Sequence, residues 1–196
     1  MKQPYLEAFY QIFDKYKPVT IGEIGTHDGR TGAQFCKYCL QYANNISYTG
    51  YDIFDLDTDE DFQRKEFNGK GPGRHWVAEK GFNKVRSRNS KFKYNLVQGF
   101  TNETLTKTKF DFVFIDGGHS YETVKHDYNM VSDSTVLVFD DYYQEDVKKL
   151  VNEVIQNENI PLMDWDTVLD STGLRAAELP KLPEVGKQHK LAIFKE

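Results

Sequence analysis

The chain has 196 residues, a net charge of -5 and 39% hydrophobic residues, enough for one domain with a sizeable core. Its opening residues, MKQPYLEAFYQIF, form no apolar signal segment, and its apolar runs are strand-sized, shorter than the ~20 residues a membrane helix needs. A single soluble domain over residues 1–196, located in the cytoplasm and without membrane contact, is the expectation.

In chain order, Leu6, Phe9, Tyr10 and Phe13 repeat at helical spacing until Pro18 breaks the pattern. Val19 to Ile24 reads as a first strand and Thr31 to Tyr42 as a helix. The cysteines Cys36 and Cys39 form a CxxC with no second ligand pair, and they share a helical stripe with Leu40 and Ala43. Core packing is therefore preferred over a metal or redox role. Tyr48 to Ile53 is a second strand, followed by a long irregular basic segment. Residues 64–93 hold ten Lys and Arg against Glu66 and Glu79, a local charge of +8 that leaves -13 on the rest.

Tyr94 to Gln98 is a third strand and Phe110 to Ile115 a fourth, with a helix marked by Val124, Tyr128 and Val131 after it. His126 and Asp127 on that helix read as structural. Val136 to Phe139 is a fifth strand, and Val147, Leu150, Val151, Val154 and Ile155 mark an amphipathic helix. Two weaker strands, near Pro161 to Val168 and Leu191 to Phe194, make seven. Strands alternating with helices predict an α/β fold, a doubly wound, mostly parallel sheet with helices on both faces. In such sheets ligands bind at the carboxyl ends of the strands, where the strand order reverses.

The residues at those ends are informative. The first strand runs into GEIGTHDGRTG, where Glu23, Gly25 and Gly29 make an E-x-G-x-x-x-G pattern. Glycines there serve either a tight turn or close approach to a ligand, and the spacing is not the GxGxxG of a dinucleotide site. In YTGYDIF, Asp52 ends the second strand, where a carboxylate can accept from both hydroxyls of a ribose. Asp116 ends the fourth strand and Asp140 and Asp141 the fifth. Three carboxylates at one sheet edge repel unless a cation lies between them, and Mg²⁺ is the simplest such ion.

Glu23, Gly25 and Asp52, with their order and spacing, resemble the class I S-adenosylmethionine-dependent methyltransferases over roughly residues 18–145. The resemblance implies a Rossmann-like methyltransferase fold. It sets Glu23, Gly25, Thr26, His27 and Gly29 against the amino-acid part of the cofactor, Asp52 and Ile53 against its ribose, and Gly99 and Phe100 in VQGFT against its adenine. It also sets Asp116 at the cofactor's edge. Asp116, Asp140 and Asp141 resemble the Mg²⁺ site of the metal-dependent O-methyltransferases, and His119, three residues past Asp116, resembles their base. The pair in that branch is more often Asp-Asn or Glu-Asp than Asp-Asp, and its catechol enzymes carry Lys where this chain has His119. The histidine is more similar to the sugar-modifying members.

On this reading the acceptor is a hydroxyl of a small molecule or sugar, and His119 removes its proton. The plainer alternative is a strand-to-helix turn, Gly117-Gly118-His119-Ser120, with Ser120 capping the helix. The basic segment, about residues 55–93, is read as a lid or substrate-binding insertion suited to an anionic acceptor, or as a solvated face. Overall acidity argues against nucleic acid, and a homo-oligomer stays open. The rival classes are a nicotinamide-dependent or nucleotide-sugar enzyme on a related fold, and a catalytically silent cofactor-binding domain.

Overall fold

A computed structural model describes residues 3–158, 163–164 and 191–194. In chain order the elements are α1 (Gln3–Tyr16), β1 (Thr20–Ile24), α2 (Arg30–Cys39), β2 (Ser47–Asp52), α3 (Glu60–Phe67), α4 (His75–Arg86) and β3 (Lys93–Gln98). They continue with α5 (Thr101–Thr104), β4 (Phe112–Ile115), α6 (Tyr121–Val131), β5 (Val136–Phe139), α7 (Glu145–Glu158), β6 (Met163–Asp164) and β7 (Leu191–Phe194).

The strands form one seven-stranded sheet in the order β3-β2-β1-β4-β5-β7-β6. β1 to β5 are parallel, and β7 runs antiparallel to both β5 and β6. Strand side chains alternate faces, so each buried strand feeds two cores. Phe112, Phe114, Val136 and Val138 join Phe9 and Phe13 of α1, Phe35 and Cys36 of α2 and Phe82 of α4 on one face. Val113, Ile115, Leu137 and Phe139 join Val124 and Tyr128 of α6 and Leu150 and Val151 of α7 on the other. Strands buried on both faces explain the nearly unbroken apolar runs in the sequence. Among the described residues no helix is long and apolar enough to cross a membrane.

Three local features differ from the sequence expectations. The segment read as irregular contains two helices. α4 is the crossover that parallel strands β2 and β3 require, and its buried Ala78, Phe82 and Val85 are spaced helically among charges that hide them. α2 ends at Cys39 rather than Tyr42. β4 begins at Phe112 because Asp111 is engaged elsewhere. The Asp111 Oδ2 accepts from the Val19 and Thr20 amides at 2.9 and 2.8 Å, fixing the start of β1. The strand expected near Pro161 to Val168 is described only at Met163–Asp164; its other residues lie outside the described ones.

Cys36 and Cys39 are free and buried in the first core, as their stripe predicted. Burial pushes the Cys39 thiol up to about 12, so it stays protonated and inert at neutral pH.

Candidate active site at the switch point

The strand order reverses between β1 and β4, and there the two loops that follow nearly touch. A Cβ on Gly25, whose φ is +87°, would lie 1.9 Å from the Asp116 carbonyl oxygen, so only glycine can occupy the position. The pattern glycine thus serves the packing of two active-site loops on each other. Gly29, with φ of +70°, opens α2, and a Cβ there would press on Phe82 and Ala78 of α4.

Above this point lies a cavity of about 950 Å³. Its walls include Glu23, Gly25, Thr26 and His27 after β1, Asp52 and Ile53 after β2, and Gly99 and Phe100 after β3. Asp116, His119 and Asp141 complete it from β4 and β5. Every predicted cofactor residue except Gly29 therefore borders one space. Gly29 instead supports the helix behind it.

Asp52 ties two of these loops together. The His27 amide donates to its Oδ2 at 2.7 Å and the Phe54 amide to its Oδ1 at 2.6 Å. Burial raises its pKa, and the two amide bonds oppose that rise. A carboxylate oxygen can accept twice, so both oxygens retain capacity for a vicinal diol. Glu23 is buried beneath the same loop, where it accepts from the Tyr48 hydroxyl. Burial, with the Glu23 charge behind it, pushes the Tyr48 phenol well above its ordinary value.

At the other end of the cavity His119 Nε2 lies 2.7 Å from Asp141 Oδ2, with each side chain only 12% exposed. At that distance Nε2 can donate a proton to the carboxylate, and a ring protonated there carries its lone pair on Nδ1. Nδ1 is buried and has no hydrogen-bond partner. Asp141 takes a left-handed conformation, φ 53°, and its amide donates to Asp140 Oδ1 at 2.9 Å. Ser120 does occupy the N-cap position of α6. Its side chain makes no cap hydrogen bond and instead pairs with Thr123 Oγ1 at 2.9 Å.

Asp116, His119, Asp140 and Asp141 also border one small hollow of about 10 Å³. The donor set suits a hard divalent ion. Among the described residues, however, no three His, Cys, Asp or Glu side chains are disposed to hold a metal, and Asp141 is turned onto His119.

Two residues escape the sequence reading. Asp127, assigned there a structural part, is 0% exposed, borders the cavity, and has no hydrogen-bond partner on either carboxylate oxygen. Burial, its leading cause, raises its pKa to about 6; the Thr101 hydroxyl opposes the rise through a contact that falls short of hydrogen-bond geometry. An acid on the apolar stripe of Val124, Tyr128 and Val131 is the available signal. Glu66, counted above only as a charge, is 4% exposed on α3 and accepts from the Ser120 amide at 3.1 Å. Nothing in a polar helix that carries Glu60, Asp61 and Glu66 marks which acid turns inward.

A doubly wound sheet with its cavity at the switch point belongs to the class of α/β cofactor-binding enzymes. A family model described as a methyltransferase domain, Methyltransf_24, matches residues 23–142. Three solved structures share the fold. CalS11, a calicheamicin methyltransferase, is 17% identical, with 96% of this chain and 76% of that one covered and a TM-score of 0.63. An O-methyltransferase from Bacillus cereus in complex with SAH is 12% identical, covering 100% and 83%, at 0.55. The SAH-bound Podospora anserina methyltransferase PaMTH1 is 15% identical, covering 100% and 80%, at 0.57. No curated protein matches by sequence. The chain belongs to this methyltransferase family and is an S-adenosylmethionine-dependent methyltransferase.

Proposed function

We propose that the enzyme methylates a hydroxyl group of a small molecule or sugar, with His119 as general base. The observation that carries this reading is the His119–Asp141 pair at 2.7 Å, which leaves Nδ1 unpartnered in a residue that borders the cavity. S-adenosylmethionine, bound across the ends of β1, β2 and β3, supplies an electrophilic methyl group. Asp52 would accept hydrogen bonds from the two ribose hydroxyls, the loop from Glu23 to His27 would hold the amino-acid part, and Gly99 and Phe100 would border the adenine.

The chain's own work is positional and acid–base. Holding the acceptor oxygen in line behind the methyl group removes an entropic barrier that can be worth ~7–11 kcal/mol. When the acceptor oxygen takes the methyl group, the methyl–sulfur bond would break with its electron pair left on the sulfur of S-adenosylhomocysteine; His119 Nδ1, once the acceptor reaches it, would take the hydroxyl proton, and Asp141 would stabilise the resulting imidazolium. General-base help of this kind is typically worth ~10² to 10⁴ in rate.

A sugar acceptor bearing anionic groups is supported by two observations. Lys70 borders the cavity, within the basic segment that covers it. CalS11, alike in fold, is described as a TDP-rhamnose 3'-O-methyltransferase. The finer reading adds Mg²⁺, which Asp116, Asp140 and Asp141 would hold and which would lower the pKa of the acceptor hydroxyl. It requires Asp141 to exchange His119 for the ion. We further assign residues 1–196 to one domain, the basic segment at about 55–93 to its lid or substrate-binding insertion, and the protein to the cytoplasm.

The test is methyl transfer from S-adenosylmethionine to a panel of nucleotide-linked sugars and phenols, with Mg²⁺ or with EDTA. Transfer to a hydroxyl supports the proposal, and transfer only to amines or thiols contradicts it. Full activity in EDTA, retained in Asp116→Asn, contradicts the Mg²⁺ reading alone.

A further inference from the structure

His119 and Asp141 sit on two different loops, after β4 and after β5, and neither loop is regular structure. Their 2.7 Å contact therefore depends on something that fixes both loops at once. α3 and the residue that caps it touch both. Glu66 Oε2 accepts from the Ser120 amide, one residue beyond His119. Two residues past Glu66, Asn68 Oδ1 accepts from Gln144 Nε2 at 3.0 Å, and Asn68 Nδ2 donates to the Tyr143 hydroxyl at 3.4 Å, just beyond Asp141.

We infer that α3 is a strap that aligns the dyad, with Glu66 as a positioning residue for His119. Three observations support the assignment. Glu66 is buried although its neighbours Arg64 and Lys65 are exposed, so the helix turns this acid inward. A Cβ on Gly118 would stand 2.6 Å from Glu66 Oε2, so the loop that carries His119 is shaped to receive the carboxylate. The acceptor sits at the N-terminus of α6, where a negative charge meets unsatisfied amides.

The strap also borders the cavity, through Phe62 and Phe67, and Phe62 packs edge-on against Phe100 at 5.6 Å. Ligand binding and base alignment thus share one element: a molecule that orders α3 also orders His119. This inference rests on the methyltransferase reading only for the meaning of the dyad. The strap itself is a matter of geometry.

The test is NMR of the full chain carrying ¹⁵N-histidine, with and without S-adenosylhomocysteine, together with hydrogen exchange of residues 60–73. In the wild type His119 shows one tautomer, protonated on Nε2. Glu66→Gln, which keeps an oxygen to accept from Ser120, retains it. Glu66→Ala loses it and speeds exchange at 60–73 on the order of tenfold, as expected from one lost charge-assisted hydrogen bond. A Glu66→Ala protein whose His119 resonances match the wild type overturns the inference. If that variant does not fold, Asn68→Ala, at an exposed position, cuts the other end of the strap, and unchanged His119 resonances there overturn it equally. Failure of S-adenosylhomocysteine to bind would sink the methyltransferase mechanism while leaving the histidine signals to decide the strap.

Discussion

His119 Nε2 and Asp141 Oδ2 meet at 2.7 Å, bridging the ends of two adjacent parallel strands whose last residues, Ile115 and Phe139, are paired in register. That register brings residues some 24 positions apart to the same level of the sheet. His119→Ala should lower methyl transfer by ~10² to 10⁴ and leave S-adenosylhomocysteine affinity within about twofold. Asp141→Asn should also slow transfer, because an amide cannot hold the ring proton on Nε2 as a carboxylate does. Single-turnover rates beside calorimetric Kd values check both. A parallel loss of affinity would place His119 in cofactor binding instead.

Asp127 gives the protein a pH-dependent stability. Its folded pKa of about 6 lies above the ordinary 3.8, so the folded state binds the extra proton between these values. The destabilisation is absent below about 3.8, grows as pH rises towards about 6, and persists in full above it. Asp127→Asn should therefore raise stability at pH 7.5, on the order of 3 kcal/mol at ~1.4 kcal/mol per unit, and should have little effect near pH 4. Urea unfolding at the two pH values measures the difference. A loss of stability at pH 7.5 would mean that the carboxylate has a partner in solution.

The first core is dominated by Phe112, which is 0% exposed and meets Phe9, Phe13 and Phe35 edge-on. Phe112→Ala should cost about 3–5 kcal/mol, the sum of lost burial and a residual cavity. Denaturant melts would show it as a lower midpoint with an unchanged slope.

Much of this architecture is written locally. Leu191 to Phe194 reads as a strand with the bounds found, and Val136 to Phe139 likewise, because short runs of β-branched and aromatic residues have few other uses. Asp52, Asp116 and His119 are legible because a polar residue abruptly ending such a run needs a reason. α4 escapes a pattern reading because its three buried residues are diluted by Lys80, Lys84 and Arg86. Glu66 escapes it for a deeper reason: its partner, the Ser120 amide, is backbone and leaves no trace in side-chain pattern. Gly25 suggests a ligand in the sequence, yet the Asp116 carbonyl is what demands it. Spacing reveals that a close approach exists, and only geometry says to what.

The central claim is that the switch-point cavity binds S-adenosylmethionine with Asp52 on its ribose. Titration calorimetry of the wild type and Asp52→Ala with S-adenosylhomocysteine tests it most directly. The account predicts saturable one-site binding, weakened by roughly tenfold or more in the variant as charge-assisted hydrogen bonds are lost. Absence of heat with S-adenosylhomocysteine, alongside clear binding of NAD(P), would contradict it.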